Sequence, residues 1–363
     1  MQFELSLVQL ITICSIVNGL LFGTLVLEKK ENRKANRFLS LLIIALCLTF
    51  TPYMLDPAIW DQYRWLAWLP FSLSYWIGPS LYLYVRALTS SIAVSKKDGW
   101  HFTPIILNYL HSIYHLFIDR GYAWFHHTAE LLESAAIISI LIYAWITYKQ
   151  IGNYQQSLQD QVSNTDRLDL QWIKKVIQVL VLSFLLILLF MVLSSAILGK
   201  TTLDDWDNFR EFILLIYAMM LYWISINGFR QAQTIIVPTF EEEVILTSET
   251  SEIIVALHAL MKDRKLFRNA ELSLSDLSRD SGISGRLISK ALNQELGKNY
   301  FQFINEFRVE EVKAKLLDTQ QDHLTILSIG LDAGFNSKAS FNRVFKSYTG
   351  LTPKEFKVNN SGH

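Results

Sequence analysis

The sequence predicts an all-α protein with two parts, an N-terminal seven-helix transmembrane bundle and a cytoplasmic helical domain with two helix-turn-helix units. Three observations predict this architecture. Hydrophobic residues make up 51% of the 363-residue chain, which is a high share for a soluble protein. Lysine and arginine are concentrated in every second loop between apolar runs. One helix-turn-helix pattern occurs twice near the C-terminus. We therefore place the bundle at residues 1–230, a linker at 231–250 and the helical domain at 251–363.

Seven apolar runs occupy the N-terminal part of the chain. A helix that crosses the hydrocarbon layer needs roughly 17 to 25 residues. The sixth run is the clearest because it has no charged residue, whereas the fourth and seventh runs are short. The runs are residues 5–27, 38–55, 65–85, 102–117, 131–148, 176–198 and 212–226. The sequence therefore predicts seven transmembrane helices in a lipid bilayer.

The basic residues of the loops predict the orientation of these helices. The first, third and fifth loops contain five, three and four Lys or Arg, and the second, fourth and sixth contain one, one and two. Because short loops rich in Lys and Arg stay on the cytoplasmic side, we expect the N-terminus outside and the C-terminus in the cytoplasm. The first run lacks the basic leading segment of a cleaved signal peptide, so we expect it to be retained.

The composition of the chain changes after the seventh run. Residues 231–250 are polar and contain Pro238 and an acidic triplet, which is typical of a linker. From Lys262 to the C-terminus there are 16 Lys and Arg against 12 Asp and Glu, a net charge of +4. The remaining residues have 17 against 21, a net charge of −4. A basic C-terminal domain favours nucleic acid as a partner.

The C-terminal domain contains one pattern twice, at about residues 274–297 and 324–350. In each copy a small residue allows two helices to cross closely, and a glycine provides a tight turn with positive φ. A serine then caps the second helix, and two apolar residues four apart dock it on the core. The paired positions are Ser278 and Gly330, Gly282 and Gly334, Ser284 and Ser337, Ile288 and Phe341, Leu292 and Phe345, and Gly297 and Gly350. The pattern predicts two helix-turn-helix units.

The side chains left outward on the second helix of each unit are short, polar or cationic. Such side chains suit a helix that lies in the major groove of DNA, although an ordinary solvated helix face has a similar composition. We expect Arg286 and Asn342 to contact base edges, and Arg343 and Lys346 to contact phosphates. The predicted DNA-binding residues are Arg286, Ser289, Lys290, Asn293, Lys338, Asn342, Arg343 and Lys346.

A strong helix-forming segment, FINEFRVEEVKAKLL at residues 303–317, lies between the two copies. At 1.5 Å per residue it spans about 21 Å. Successive major grooves on one face of B-DNA lie roughly 34 Å apart. The segment is therefore predicted to be a strut that holds two recognition helices at neighbouring grooves.

The second copy and the strut resemble the AraC-type family of bacterial transcription regulators. The family pattern GF-x-S-x-x-x-F-x-R-x-FK-x-x-x-G-x-TP is matched at residues 334–353, and FIN-x-x-RV is matched in the strut. Two departures are Gly330, where the family usually has alanine, and Leu292-Asn293, which replaces Phe-Lys. We expect Gly330 to soften its helix. The resemblance covers about 100 residues and implies promoter DNA as the partner, with RNA polymerase and a second copy of the chain as further candidates.

The N-terminal part resembles the multi-span sensors that are fused to such domains, through IGPSLYLYV at 77–85 and HFTPII at 101–106. A group of ionisable residues lies near its predicted outer face. These residues are a candidate signal site, as a metal site or a pH sensor, but the simpler explanation is that they are polar residues at the membrane interface. The candidates are His111, His115, His126, His127 and Glu133.

These observations predict a membrane-bound one-component transcription regulator in the bacterial inner membrane. Its linker is expected to couple the signal to the orientation or dimerisation of the DNA-binding domain. Neither a phosphate-binding loop nor a nucleophile–base motif is found, so we expect no enzyme activity and no cofactor. One alternative is a membrane receptor or transporter whose C-terminal domain is a protein-interaction module. Another is a membrane enzyme or transporter with a regulatory C-terminal domain.

Overall fold

Helices account for the regular secondary structure in the part of the chain that this computed structural model describes, which agrees with the predicted all-α class. The described residues are 6–50, 73–89, 94–118, 122–166, 168–197, 203–231, 250–321 and 323–360. They form two compact units. The N-terminal unit consists of Met1–Gly152 and Leu170–Val237, and the C-terminal unit consists of Asn153–Asp169 and Pro238–His363.

The described part of each of the seven apolar runs lies on a separate helix, in chain order. The helices are α1 (Leu7–Glu28), α2 (Arg33–Phe50), α3 (Ser74–Thr89), α4 (Pro104–Ile118), α5 (Tyr122–Gln159), α6 (Gln171–Ile197) and α7 (Leu203–Gln231). A 3₁₀ helix, Lys96–Phe102, precedes α4. The apolar runs therefore predicted the order of these helices, but α5 extends eleven residues beyond the fifth run.

Three of the described helical segments are long and apolar enough to cross a membrane, namely Leu7–Glu28, Ser134–Gln159 and Glu211–Gln231. Seven spans are thus not confirmed. Helix α3 has 16 residues and α4 has 15, which is short of the roughly 17 to 25 residues that a crossing needs. Helix α2 begins with the basic sequence RKANR. In α6, many side chains of the second half lie outside the described residues.

Small residues form the buried face of α1, which packs against α2 and α7. A Cβ atom on Gly19 would lie 2.7 Å from the sulfur of Cys47 in α2 and 3.3 Å from Leu221 in α7. Glycine therefore permits the close approach of the three helices, as is common where helices associate in lipid. The buried residues of α1 are Thr12, Ser15, Gly19, Gly23 and Val26.

The C-terminal unit contains seven described α-helices around two hydrophobic clusters. They are α8 (Thr250–Arg264), α9 (Leu274–Ser281), α10 (Gly285–Leu296), α11 (Tyr300–Leu317), α12 (Ile326–Asp332), α13 (Lys338–Thr349) and α14 (Pro353–Asn360). The first cluster lies around α8 to α10 and the second around α12 and α13. Helix α11 contributes Phe303 and Ile304 to the first cluster and Val309 and Val312 to the second. It is the predicted strut, and its 18 residues span about 27 Å.

Asn153–Asp169, called here the inserted segment, is part of the C-terminal unit although the sequence places it in a loop between the fifth and sixth apolar runs. Its Val162 forms an antiparallel bridge with Ser273, and the amide of Leu274 donates to the carbonyl of Gln161 at 2.8 Å. The C-terminal unit is therefore discontinuous in sequence. The predicted linker stays a prediction, because residues 232–249 lie outside the described residues.

Candidate nucleic-acid interface

Both helix pairs have the turn that the sequence predicted. Gly282 has φ of 70° and Gly334 has φ of 100°, which is the left-handed region that side chains with a Cβ rarely adopt. Each glycine lies between the short first helix and the longer second helix of its unit, α9 to α10 and α12 to α13. The predicted turn chemistry is confirmed in both copies.

The second helices begin and dock as predicted. The hydroxyl of Ser284 accepts from the amide of Leu287 at 3.4 Å, and the hydroxyl of Ser337 accepts from the amide of Ser340 at 3.1 Å. These bonds satisfy amides that a helix leaves unpaired at its first turn. The apolar stripe is buried in both copies, at Ile288 and Leu292 of α10 and at Phe341 and Phe345 of α13.

The small residue of each first helix has a different role in the two copies. The Ser278 hydroxyl donates to the carbonyl of Ile283 at 2.7 Å and fixes the turn of the first unit. A Cβ atom on Gly330 would lie 2.7 Å from the ring of Phe341, a distance that Cβ contacts essentially never show. Gly330 is thus a packing requirement, because it makes room for the Phe341 ring between α12 and α13. The expected softening of this helix by Gly330 stays a prediction.

The predicted DNA-binding side chains form polar and cationic surfaces on α10 and α13. Ser289 and Asn342 are half-buried. The side-chain amide of Asn293 donates to the backbone carbonyl of Ser289 in the same helix, at 2.9 Å. Their contacts with DNA stay predictions. The exposed members are Arg286, Lys290 and Asn293 on α10 and Lys338, Arg343 and Lys346 on α13.

Arg343 differs from the other predicted DNA-binding cations because it is already paired. Its Nη2 lies 2.8 Å from Oδ1 of Asp166, which belongs to the inserted segment. Oδ2 of the same carboxylate accepts from the Ser337 hydroxyl at 2.8 Å. Among the described residues, the cations Arg286, Lys290, Lys338 and Lys346 take part in no such ion pair.

Arg308 of the strut holds the inserted segment from inside the unit. The residue is 1% exposed, and it donates to the carbonyl of Ser163 at 3.1 Å and to the Ser163 hydroxyl at 3.0 Å. It also donates to the carbonyls of Phe267 at 2.7 Å and Asn269 at 2.8 Å. Burial lowers the pKa of Arg308 to about 10, so the guanidinium stays charged at neutral pH. Asn305 adds a bond of 3.2 Å to the same Ser163 carbonyl.

The candidate signal site of the N-terminal unit lies largely outside the described side chains. His111 is half-buried on α4, whereas the side chains of His115, His126, His127 and Glu133 are outside the described residues. The proposal that these residues sense a signal therefore stays a prediction.

A different polar pair in the N-terminal unit was not singled out from the sequence. Nδ1 of His101 lies 2.7 Å from the hydroxyl of Tyr143 on α5, in a groove that is also lined by Tyr82 of α3 and by apolar residues. Because His101 and Tyr143 are 42 residues apart, no local spacing could indicate the pair.

Comparison with known proteins identifies a similarity in the C-terminal region. Residues 277–359 match the model of a family described as a helix-turn-helix domain. An uncharacterised HTH-type transcriptional regulator of Staphylococcus aureus (strain COL) is 40% identical over 93 residues, which are 26% of this chain and 12% of that protein. The HTH-type transcriptional activator AarP of Providencia stuartii is 26% identical over 117 residues, which are 32% of this chain and 79% of the activator.

The matches cover very different shares of the proteins compared. The chain spans 12% of the length of the Staphylococcus aureus relatives, including a second one from strain MSSA476 at 40% identity. A solved structure of a Listeria innocua protein of unknown function is 26% identical and covers 30% of this chain and 95% of that one, with a TM-score of 0.26. The C-terminal region of this chain thus carries a helix-turn-helix domain similar to those of HTH-type transcriptional regulators.

Proposed function

We propose that the chain is a membrane-bound transcription regulator that binds promoter DNA through α10 and α13. The observation that carries this proposal is the pair of exposed, polar and cationic helix faces, each presented by a capped helix after a left-handed glycine turn. A helix of this kind fits the major groove, where side-chain donors and acceptors read base edges. The match of residues 277–359 to a helix-turn-helix domain supports the same function.

The strut supports the use of both helices on one DNA molecule. Helix α11 contributes buried side chains to both hydrophobic clusters, so each helix-turn-helix unit packs on the same rod. A rod of about 27 Å is comparable with the roughly 34 Å between successive major grooves. One chain would then contact two neighbouring groove segments, and a second copy of the chain would extend the site.

The N-terminal unit is proposed to place this regulator in the bacterial inner membrane and to receive the signal. Three described helical segments have the length and hydropathy of membrane spans, and the seven apolar runs alternate with basic and less basic loops. With the orientation proposed from the basic loops, the C-terminal unit would lie in the cytoplasm, where DNA is accessible. The number of spans, the orientation, the signal and contact with RNA polymerase belong to the proposal.

The proposal is tested by mapping the DNA that the full chain binds in cells, through crosslinking and sequencing of the bound fragments. We expect enrichment at discrete promoters, and loss of that enrichment when Arg286 and Asn342 are both replaced by alanine. Lys354→Ala, which removes an exposed cation of α14 that belongs to neither recognition helix, is the matched control and should keep the bound sites. Uniform recovery of DNA from every region by the unaltered chain would favour the alternative of a protein-interaction module.

A further inference from the structure

From the contacts of Asp166 we infer that Ser337 and Arg343 form a binding site for a DNA backbone phosphate, and that the Asp166 carboxylate occupies this site in competition with DNA. The inference rests on the proposed function. It adds a specific anion site to the second recognition helix, and it gives the inserted segment the role of a competitor that lies within the same chain.

The geometry of the site is that of an anion bound at a helix N-terminus. One carboxylate oxygen of Asp166 lies 2.8 Å from the guanidinium of Arg343, and the other accepts from the Ser337 hydroxyl at 2.8 Å. Ser337 is the N-cap of the 12-residue helix α13, whose first amides and dipole favour negative charge. A phosphate has the same charge sign and also offers two oxygens to the donors that Asp166 uses.

Contacts of the inserted segment fix the position of the Asp166 carboxylate. Ser163, three residues earlier, is 1% exposed and is held by Arg308 and Asn305 of the strut. The amide of Asp166 donates to the side-chain oxygen of Asn164 at 3.2 Å, which closes a turn just before the carboxylate. The buried anchor and the turn fix where the Asp166 side chain lies, so the ion pair is a positioned contact of the C-terminal unit.

The site also remains accessible to DNA. The side chain of Arg343 is 53% exposed and that of Asp166 is 22% exposed, so neither group is sealed in the protein interior. Partly exposed ion pairs contribute up to about 1 kcal/mol, and a DNA phosphate can therefore displace the carboxylate without unfolding the unit. Displacement of Asp166 does not require Ser163 to leave Arg308, because the two contacts are made by different residues.

This arrangement gives the N-terminal unit a second covalent route to the DNA-binding surface. The inserted segment follows α5 and precedes α6 in the chain, so peptide bonds join both of its ends to the N-terminal unit. A change in tension on either end would alter how well Asp166 reaches Ser337 and Arg343. The affinity for DNA would then change without any change in the recognition helices themselves.

The test measures binding of the full chain in detergent micelles to a random-sequence DNA duplex of about 40 base pairs, roughly four helical turns. Fluorescence anisotropy of labelled DNA is recorded at several KCl concentrations. The variants are Asp166→Asn, Arg343→Ala, the combination of both, and the control Asp160→Asn. Asp160→Asn removes the same charge from the same segment, and in the described part of the chain the Asp160 side chain has no hydrogen bond or ion pair with α13. The melting temperature of each variant in the same micelles establishes that it is folded.

We expect Asp166→Asn to tighten DNA binding about 3- to 10-fold, since it frees a partly exposed Arg343 for a phosphate. We expect Arg343→Ala to weaken binding and to reduce the slope of log K against log salt by about 0.9, which is the value for one phosphate contact. In the Arg343→Ala background, Asp166→Asn should change the affinity by less than about twofold, as should Asp160→Asn alone.

Two kinds of gain would overturn the competition while leaving the proposed function standing. One is an equal gain from Asp166→Asn with and without Arg343, which would mean general repulsion between the segment and DNA. The other is an equal gain from Asp160→Asn. Absence of any gain from Asp166→Asn, in a chain that binds DNA normally, would also overturn the competition. A folded chain that binds no duplex even at low salt would overturn the proposed function together with this inference.

Discussion

Arg308 donates hydrogen bonds to both the carbonyl and the hydroxyl oxygen of Ser163, a residue that lies 145 positions earlier in the chain. A buried guanidinium must have its donors satisfied, because an unpaired buried charge is strongly destabilising. In this unit the acceptors are mainly carbonyl oxygens, and Ser163 supplies two of the acceptor atoms. The inserted segment is therefore required by the strut as well as positioned by it.

Ser163→Ala should weaken the C-terminal unit locally. The change removes a hydroxyl that accepts from Arg308 and donates to the carbonyl of Leu272 at 2.8 Å, and it leaves both partners short of a bond. We expect a loss of about 1–3 kcal/mol in the opening free energy of α11, measured by hydrogen exchange of its amides in the full chain. Ser157→Ala is the control, since its exposed hydroxyl accepts from the Gln161 side chain within the same segment. Equal protection in both variants would contradict the anchoring role.

Gly330→Ala should destabilise the second helix-turn-helix unit, although alanine is normally the better helix former. The new Cβ would lie 2.7 Å from the ring of Phe341, so the ring or α12 must shift, at a cost of about 1–3 kcal/mol. The opening free energy of α13, again from hydrogen exchange, measures the effect. Phe341→Leu should reduce the penalty of Gly330→Ala, because the smaller side chain makes room for the methyl group. If the losses in opening free energy caused by Gly330→Ala and Phe341→Leu simply add, the close contact between the two positions is not the cause of the Gly330→Ala penalty.

The DNA contacts should divide into two classes. Replacement of Arg286 or Asn342 by alanine should cost about 1–3 kcal/mol at a cognate promoter fragment and relax the preference at a few base pairs. Replacement of Lys346 should weaken binding to all sequences and reduce the salt slope by about one unit. Competition with scrambled fragments at two salt concentrations separates the classes. If Lys346→Ala altered preference and Arg286→Ala altered only the salt slope, the assignment of roles would be reversed.

The membrane orientation is tested with a reporter enzyme that is active only outside the cytoplasm. Fusions after Asp61, Ala123 and Asp204 should be active, and fusions after Lys97, Asp160 and Gln231 should be inactive, because basic loops stay in the cytoplasm. Activity in the fusion after Gln231 would place the C-terminal unit outside, where it could not reach a chromosome. That result would contradict the proposed function directly.

Local chemistry explains which features were predictable from the sequence. A left-handed glycine, a capping serine and an apolar stripe act within a few residues of one another, so Gly334, Ser337 and Phe341 could be assigned without a structure. The close approach of Phe341 to Gly330 could be predicted only in part from the sequence. Spacing indicated that a small residue was needed there, but not that a methyl group would already be too large.

The inserted segment was not predictable in the same way, because its contacts have no local periodicity. Asp166 and Arg343 are in contact although they are 177 residues apart in sequence, and Ser163 and Leu272 are 109 residues apart. One signal was present in the sequence. Arg308 lies four residues from both Ile304 and Val312, which places it on the apolar face of the strut. A guanidinium at such a position requires buried hydrogen-bond acceptors. That spacing predicts a partner for Arg308 but does not identify Ser163.

The discontinuous C-terminal unit changes what counts as an exchangeable module in this protein. A chimera in which residues 1–230 were replaced by another N-terminal region would lose Ser163 and Asp166 together with the N-terminal helices. In the transplanted DNA-binding region, Arg308 would lose the buried acceptors that Ser163 provides, and Arg343 would lose its ion pair with Asp166. A functional exchange of the N-terminal region must therefore use two junctions within it, near Gly152 and Leu170, so that the inserted segment stays with the helices it completes.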